Sequence, residues 1–233
     1  MNEVDRLAEI LRQQFAAVSS TSDEIWSQSP VAKVIDCVLS LNRPYDRVVQ
    51  PRVQRFIRNH PDVEALSQLR ALMTHYPRLL DFSEKELDYR DQDRAEVLFG
   101  VIDYLLDVQQ DHAGNTETER LERWAAWARP GDYLAVGVRG FGLAGFQYLR
   151  MLFGAQTTKP DVHIIRFVSK HVGRQVTNIQ ALYLLERAAK RAGRPIRELD
   201  IAIWQAGARS NDPVLQSSVN MRAKQLEDGS ANG

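Results

Sequence analysis

The sequence predicts an all-α protein of roughly ten helices, and three observations support this prediction. Apolar residues recur at intervals of three and four along most of the chain, which is the period of an amphipathic helix. Residues that favour helix N-caps and glycines that favour helix ends separate these stretches. No run of four or more residues alternates clearly between apolar and polar side chains, as a half-buried β-strand does.

The first six predicted helices follow from apolar periodicity and from the residues at their starts. They span about residues 4–18, 30–41, 46–59, 62–75, 91–110 and 117–128. Ser29 suits an N-cap and Pro30 a first turn, and the apolar residues that follow predict a buried second helix. Thr116, with Glu119 three residues later, predicts a capping box. Residues 77–90 show no helical pattern and are predicted to be irregular.

The last four predicted helices are set off by glycines. They span about residues 131–138, 143–153, 178–192 and 195–206. The first two flank a tight turn that contains Gly140 and Gly142. Thr177 begins a capping box at the start of the third helix, while Gly193 and Gly207 are predicted to end the third and fourth helices.

Composition excludes several classes of protein. The 233 residues carry 30 basic and 30 acidic side chains, so the formal net charge is zero. This balance excludes a uniformly basic nucleic-acid coat and an acidic disordered tail. The one cysteine, Cys37, excludes an internal disulfide and any zinc or iron–sulfur site built from several cysteines. With no 18-residue apolar run and no signal-peptide pattern, we expect a cytoplasmic protein without a membrane partner.

The zero net charge hides an uneven distribution of charge along the chain. Residues 43–60 carry five arginines and one acid, and residues 139–175 carry six basic residues and one acid. Residues 81–122 carry thirteen acids and four basic residues. Two basic segments on one face, with the acidic segment turned away, would form an electrostatic footprint for a nucleic acid. Each segment alone fits a solvated helix face, although the arginines of residues 43–60 slightly favour phosphate contact.

One segment of the sequence contains a candidate phosphate-binding turn followed by an aspartate. Arg139-Gly140-Phe141-Gly142 stands between two predicted helices, and Asp161 follows 19 residues after Gly142 in Lys159-Pro160-Asp161-Val162-His163. Glycines at such a turn allow backbone conformations that other residues avoid, and the N–H groups at the start of the next helix can bind a phosphate. Taken alone, the glycines fit a plain connecting turn better.

The whole arrangement resembles the helix-hairpin-helix DNA glycosylase superfamily. Its members carry a hairpin, a helix and then an aspartate in a Val-Asp-x-His-like motif that opens another helix. Three other segments resemble the family in the same order: residues 35–42, 89–95 and 199–207. The resemblance covers about residues 30–210.

The resemblance implies one unit, residues 1–216, made of two helical lobes with a helix-hairpin-helix motif. The central lobe would take about residues 30–128, and the second lobe residues 1–29 and 129–216 with the hairpin. Residues 217–233 are predicted to be a disordered tail.

The chain departs from the family pattern at three places. The family's Pro-Gly-x-Gly begins here with Arg139, and Ala144 stands where bifunctional members carry a nucleophilic lysine. The four C-terminal cysteines of the iron–sulfur branch are absent. The resemblance therefore implies a monofunctional enzyme with no lysine-dependent lyase step and no iron–sulfur cluster.

The resemblance also implies roles for individual residues. Asp161 would stabilise the positive charge on the sugar and help activate water, although an N-cap role alone would also explain it. DNA contacts are implied for Arg139, Gly140, Gly142, Gly145, Asn42, Arg43 and Lys159. Aromatic candidates for the base pocket, each of which also suits a protein core, are Tyr45, Trp124, Trp127, Phe146 and Trp204. No metal is expected on side chains, and an alkali cation would sit at the hairpin backbone.

The resulting hypothesis is a base-excision enzyme that hydrolyses the N-glycosidic bond of a damaged or modified base in double-stranded DNA. The alternatives are a non-catalytic helix-hairpin-helix module for DNA binding or interaction, and a helical scaffold for proteins. We expect a monomer, associated with the nucleoid if it binds DNA. The sequence does not name the base.

Overall fold

The computed structural model describes residues 2–15 and 28–209, and every regular element in those residues is helical, which confirms the all-α prediction. The α-helices are α1 Glu3–Gln14, α2 Pro30–Leu39, α3 Gln50–Asn59, α4 Leu66–Thr74, α5 Leu79–Leu87, α6 Gln92–Val108, α7 Glu117–Trp127, α8 Leu143–Leu152, α9 Val162–Val172, α10 Asn178–Ala192 and α11 Ile196–Arg209. A π-helical turn spans Tyr45–Val49, and 3-10 turns span Gln109–Asp111 and Pro130–Val136. The predicted tail lies outside the described residues. No helix within the described ranges combines the length and the apolarity needed to cross a membrane.

The predicted N-caps are confirmed by their hydrogen bonds, but the capping box predicted at Thr116 is incomplete, because the Glu119 carboxylate accepts the Asn115 N–H instead. Ser29 Oγ accepts the Ala32 N–H at 3.3 Å and so begins α2. The hydroxyls of Thr116 and Thr177 accept N–H groups three residues later, at 3.1 and 3.3 Å. Gly193 ends α10 with a φ of 69°, in the left-handed region that glycine adopts without strain.

Helix α5 corrects the prediction that residues 77–90 are irregular. It buries Phe82 and Leu87, which are 0% and 1% exposed, and it packs against α3 and α6. Three acidic residues within nine positions obscure the apolar period in the sequence. Asp88 ends the helix with a left-handed φ of 51°.

Other boundaries also differ from the prediction, and α4 begins at Leu66 and not near residue 62. The helix predicted at 46–59 is divided, because Pro51 has no N–H to continue the ladder and the Gln50 N–H bonds to the Tyr45 carbonyl in a wider turn. The segment predicted as helix 131–138 is the 3-10 turn. Helix α11 continues through Gly207, where an added Cβ would lie 2.6 Å from His163 Nδ1. That glycine serves close packing and does not end the helix.

The buried side chains form two cores. The first core is built by α2 to α8 and extends from Val31 to Ala155. The second core is built by α1, α9, α10 and α11, with α1 packed along α10. Helix α8 lies in the first core, whereas the lobe prediction assigned residues from 129 onward to the second lobe.

Gly145 allows α8 to pack closely against the end of α2. A Cβ at this position would lie 2.8 Å from Leu41 Cδ2 and 2.9 Å from Phe141 Cε2. We expect Gly145→Val to lower the free energy of unfolding by about 1–3 kcal/mol through overpacking. Chemical denaturation measures this change. Gly131→Val is the control, since a Cβ there meets nothing within 4 Å; equal effects of the two variants would contradict the packing argument.

Candidate functional site at the seam between the two cores

The segment from Ala155 to Asp161 joins the first core to α9 and is held by both cores. The Gln147 amide of α8 donates a hydrogen bond to Thr157 Oγ1 at 2.7 Å, and that hydroxyl donates to Glu186 Oε1 of α10 at 2.7 Å. We call the polar residues around the end of this segment the seam cluster. It consists of Asp36, Ser40, Tyr45, Tyr148, Thr158, Lys159, Asp161 and Asp200.

Asp161 is the N-cap of α9. Its Oδ1 atom accepts the N–H groups of His163 and Ile164 at 2.9 and 3.1 Å. Its other carboxylate oxygen accepts no hydrogen bond from any described residue, and the side chain is half-buried. The capping role is therefore confirmed, and one oxygen is left for another task.

Lys159 turns its ammonium group into the seam. Its Nζ atom lies 3.3 Å from Ser40 Oγ and 4.1 Å from the centre of the Tyr148 ring. The positive charge over the ring is a cation–π contact. Lys159 was predicted to touch DNA phosphate, whereas the structure places its charge among the residues of the seam cluster.

Asp36 links the first core to the seam. This carboxyl is 1% exposed and accepts the hydroxyls of Tyr45 at 2.7 Å and Tyr148 at 2.8 Å, one on each oxygen. Burial raises the pKa of Asp36, and the two hydrogen bonds act in the opposite direction. Burial and the nearby Asp36 charge raise the pKa of both tyrosines. The two hydroxyls therefore remain protonated donors.

Asp200, in α11, lies on the other side of Lys159. Its Oδ1 atom accepts the Thr158 hydroxyl and, at 2.8 Å, the Lys159 N–H. Burial is the main cause that raises the pKa of Asp200, to about 7, and the negative charge of Asp161 adds to it. Two carboxyl groups thus lie near each other, and one of them holds a proton below neutral pH.

Two of the predicted pocket aromatics meet beside this cluster. The Tyr45 and Trp204 rings are in edge contact, with centroids 6.2 Å apart, and Trp204 is also 6.4 Å from the His163 ring. Trp204 is half-buried. These two rings contact each other at the seam, and their role in a base pocket stays a prediction.

The other predicted pocket aromatics lie elsewhere. Trp124 and Phe146 are 3% and 0% exposed and pack edge to face in the first core, with centroids 5.8 Å apart. They are core residues, so neither side chain can line an open pocket. Trp127, at the end of α7, is 78% exposed.

The hairpin presents part of its backbone to solvent. Arg139, Gly140 and Gly142 are exposed, and Gly140 has a left-handed φ of 87°. Arg139 makes no ion pair or hydrogen bond with any described residue. Gly142 begins α8 without a side-chain cap, so the first amides of α8 lack that partner. Gly145 is buried, and its carbonyl accepts the Cys37 thiol at 3.4 Å, so it lies beneath the surface of the hairpin.

Asn42 is an exposed residue held in a strained backbone conformation. Its φ is 58°, which is uncommon for a residue other than glycine. Arg94 donates to the Leu41 carbonyl at 3.0 Å, and Arg43 donates to Tyr89 Oη at 2.7 Å. These bonds hold the backbone on both sides of Asn42. Arg43 also lies 3.5 Å from Asp91, so part of its charge is compensated within the chain.

The charge distribution differs from the predicted footprint. Arg52 and Arg55 of α3 lie 3.8 and 3.6 Å from Asp88, and His60 bonds to Glu86 at 2.6 Å. The footprint would require residues 81–122 to face away from residues 43–60, and α5 does not meet this condition, because it packs against α3. Arg47 and Arg58 of the same basic segment make no ion pair with a described residue, and both are exposed.

A hollow of about 310 Å³ lies apart from the seam cluster. It is lined by Arg174, Gln180, Tyr183, Leu184 and Arg187, and none of the predicted site residues belongs to it. Arg174 is already paired with Glu3 at 2.7 Å. Within residues 2–15 and 28–209, no three histidine, cysteine, aspartate or glutamate side chains gather as a metal site would require.

Comparison with known proteins identifies one matching protein family. No curated protein and no solved structure matches the chain. One family matches residues 4–208, which is most of the chain and includes every residue of the seam cluster. The chain belongs to that family, which is described as Domain of unknown function (DUF8548).

Proposed function

We propose that the chain is a monofunctional DNA glycosylase, which hydrolyses the bond between a base and its sugar in double-stranded DNA. One observation carries this proposal. The Asp161 carboxylate uses one oxygen to cap α9, and its other oxygen, at the seam between the two cores, accepts no hydrogen bond from the residues that the structure describes. A negative charge in such a half-buried site stabilises a positive charge that develops on a sugar.

The reaction needs little more than this charge and a water molecule. The base is first turned out of the duplex, which removes it from its stacked neighbours. Its glycosidic bond breaks, and the base takes the bonding electron pair and a proton. A water molecule loses a proton, with Asp161 as the candidate acceptor, and its oxygen bonds to the anomeric carbon. The products are the free base and an abasic site.

The DNA contacts of this proposal lie on two exposed backbone features. The amides that follow Gly142, together with Arg139, suit a phosphate of the DNA backbone, and an alkali cation at the same backbone would assist them. Asn42, held in its left-handed conformation, suits the gap that a flipped base leaves.

Replacing Asp161 tests the catalytic part of the proposal. Asparagine caps helices about as well as aspartate, so Asp161→Asn keeps the cap and removes only the charge. We expect base release from a panel of lesion-containing duplexes to fall about 100-fold or more, with the free energy of unfolding changed by less than about 0.5 kcal/mol. Single-turnover measurement of abasic-site formation and chemical denaturation give the two values.

Asp81→Asn is the matched control, because Asp81 lies in the first turn of α5 and pairs with Arg78. It removes one negative charge from a helix start that is not part of the seam cluster. Equal base release by wild type and Asp161→Asn would contradict the catalytic role. If none of the three proteins released a base, the proposal that the chain is a DNA glycosylase would be contradicted.

The exposed hairpin also supports a second candidate, a DNA-binding module without catalysis. The edge contact between Tyr45 and Trp204 favours it, because two rings so close leave no slot between them for a base. In that case the protein binds DNA and releases no base, and Asp161→Asn leaves DNA affinity unchanged.

Both candidates predict that Arg139 contributes to DNA affinity. We expect Arg139→Ala to reduce the slope of log K against log salt concentration by about 1, since one phosphate contact is lost. Fluorescence anisotropy with a labelled duplex at several salt concentrations measures this slope. Arg78→Ala is the control, because that arginine is paired with Asp81. An unchanged slope for Arg139→Ala would mean that Arg139 of the hairpin does not contact a DNA phosphate.

A further inference from the structure

Asp200 makes two contacts that act on the chain just before Asp161. One of its oxygens accepts both the Thr158 hydroxyl and the Lys159 backbone N–H, although Asp200 stands 39 positions after Asp161 in the chain. The Asp161 N–H in turn donates to the Lys159 carbonyl at 2.7 Å, in a tight turn around Pro160. Helix α11 thus holds the turn that precedes α9.

We propose that Asp200 is a positioning residue of the seam site, which fixes the turn that presents the free oxygen of Asp161 and directs Lys159 toward Ser40 and Tyr148. The inference rests on the proposed function as far as the reaction is concerned. Asp200 touches no reacting atom in this account and acts through the turn and through its own charge.

The groups that act on the charge of Asp200 come from its neighbouring elements. The positive charge of Lys159, in the turn, lowers the pKa of Asp200, whereas the negative charge of Asp161, at the start of α9, raises it. His163 of α9 faces α11 near Gly207, and Glu186 of α10 is bonded to Thr157. When Asp200 ionises, a second negative charge appears beside Asp161 and favours the positive sugar of the transition state. Base release by the wild type therefore rises as the pH passes through about 7, where Asp200 loses its proton.

Three variants separate positioning from charge. Asp200→Ala removes both hydrogen bonds, and we expect at least a tenfold loss of the single-turnover rate with DNA affinity unchanged. Asp200→Asn keeps an accepting oxygen, and we expect it to recover most of the rate at pH 6 but to lack the rise above pH 7. Thr158→Val removes one of the two hydrogen bonds, and its single-turnover rate is expected to lie between the rates of the two Asp200 variants. A wild-type rate and pH profile in Asp200→Ala would overturn the proposal.

A second measurement does not depend on base release. In ¹⁵N-labelled wild type, the amide signal of Lys159 is expected to move with pH with a midpoint near 7, because the group that accepts its proton titrates there. In Asp200→Asn that movement is lost. A Lys159 amide that titrates alike in both proteins overturns the positioning role, whatever the activity. A normal titration in a protein that releases no base contradicts the proposed function and leaves Asp200 holding a turn that is not an active site.

Discussion

Replacing Phe146 by alanine is expected to lower the free energy of unfolding by about 3–5 kcal/mol. The ring is fully buried and packs edge to face against Trp124 in the first core, so its removal leaves a cavity that the helices around it fill only in part. Urea denaturation followed by circular dichroism gives the value.

Trp127→Ala provides the comparison, because that ring is 78% exposed at the end of α7. Its loss is expected to change stability by no more than about 0.5 kcal/mol. The pair also distinguishes core from pocket. If Phe146→Ala kept its stability but lost affinity for a substrate base, Phe146 would be a pocket wall and its place in the first core would be wrong.

Asp200→Asn is expected to gain stability relative to the wild type as the pH rises. The pKa of Asp200 is raised from 3.8 to about 7 in the folded protein, so between these values the folded state binds a proton that the unfolded state has lost. Wild-type stability therefore falls with rising pH in this window. Between pH 5 and pH 8 the difference between variant and wild type should grow by about 3 kcal/mol.

Chemical denaturation at pH 5, 6, 7 and 8 measures this difference. Asp161→Asn sharpens the test, since the Asp161 charge is the second cause of the raised pKa of Asp200. Without that charge, the pH window in which stability falls should end at a lower pH. A constant difference between wild type and Asp200→Asn over this range would mean that Asp200 does not hold a proton in the folded protein.

Local rules predicted the helix starts better than the boundaries that depend on packing. Ser29, Thr116 and Thr177 begin helices through bonds within four residues, so the sequence around them contains the whole signal. Helix α5 was missed because three acids are interspersed with its few apolar residues, and one of them, Glu86, is half-buried against His60. Gly207 was read as a helix end, but its role is set by His163, 44 positions away in the chain.

The candidate site was predicted in part. The position of Asp161 at the start of a helix agrees with the prediction, whereas the contact between Tyr45 and Trp204 was not predicted. Asp36 and Asp200 were missed as members of the site. Each is itself buried and stands beside apolar residues, and a charged residue in such a position is the signal that marks a buried polar contact. Their partners come from distant parts of the chain, which periodicity does not reveal.

The second core is built from both sides of the first along the chain: α1 precedes the segment from Val31 to Ala155, and α9 to α11 follow it. This order has a consequence for synthesis on the ribosome. The first core is complete in a continuous stretch and can fold once its last helix has left the exit tunnel. Helix α1, although made before the other described helices, has no partner in the second core for Leu7 and Leu11 until α9 and α10 emerge. During translation the apolar face of α1 therefore waits longest for burial, and chaperone contacts with the nascent chain should concentrate there.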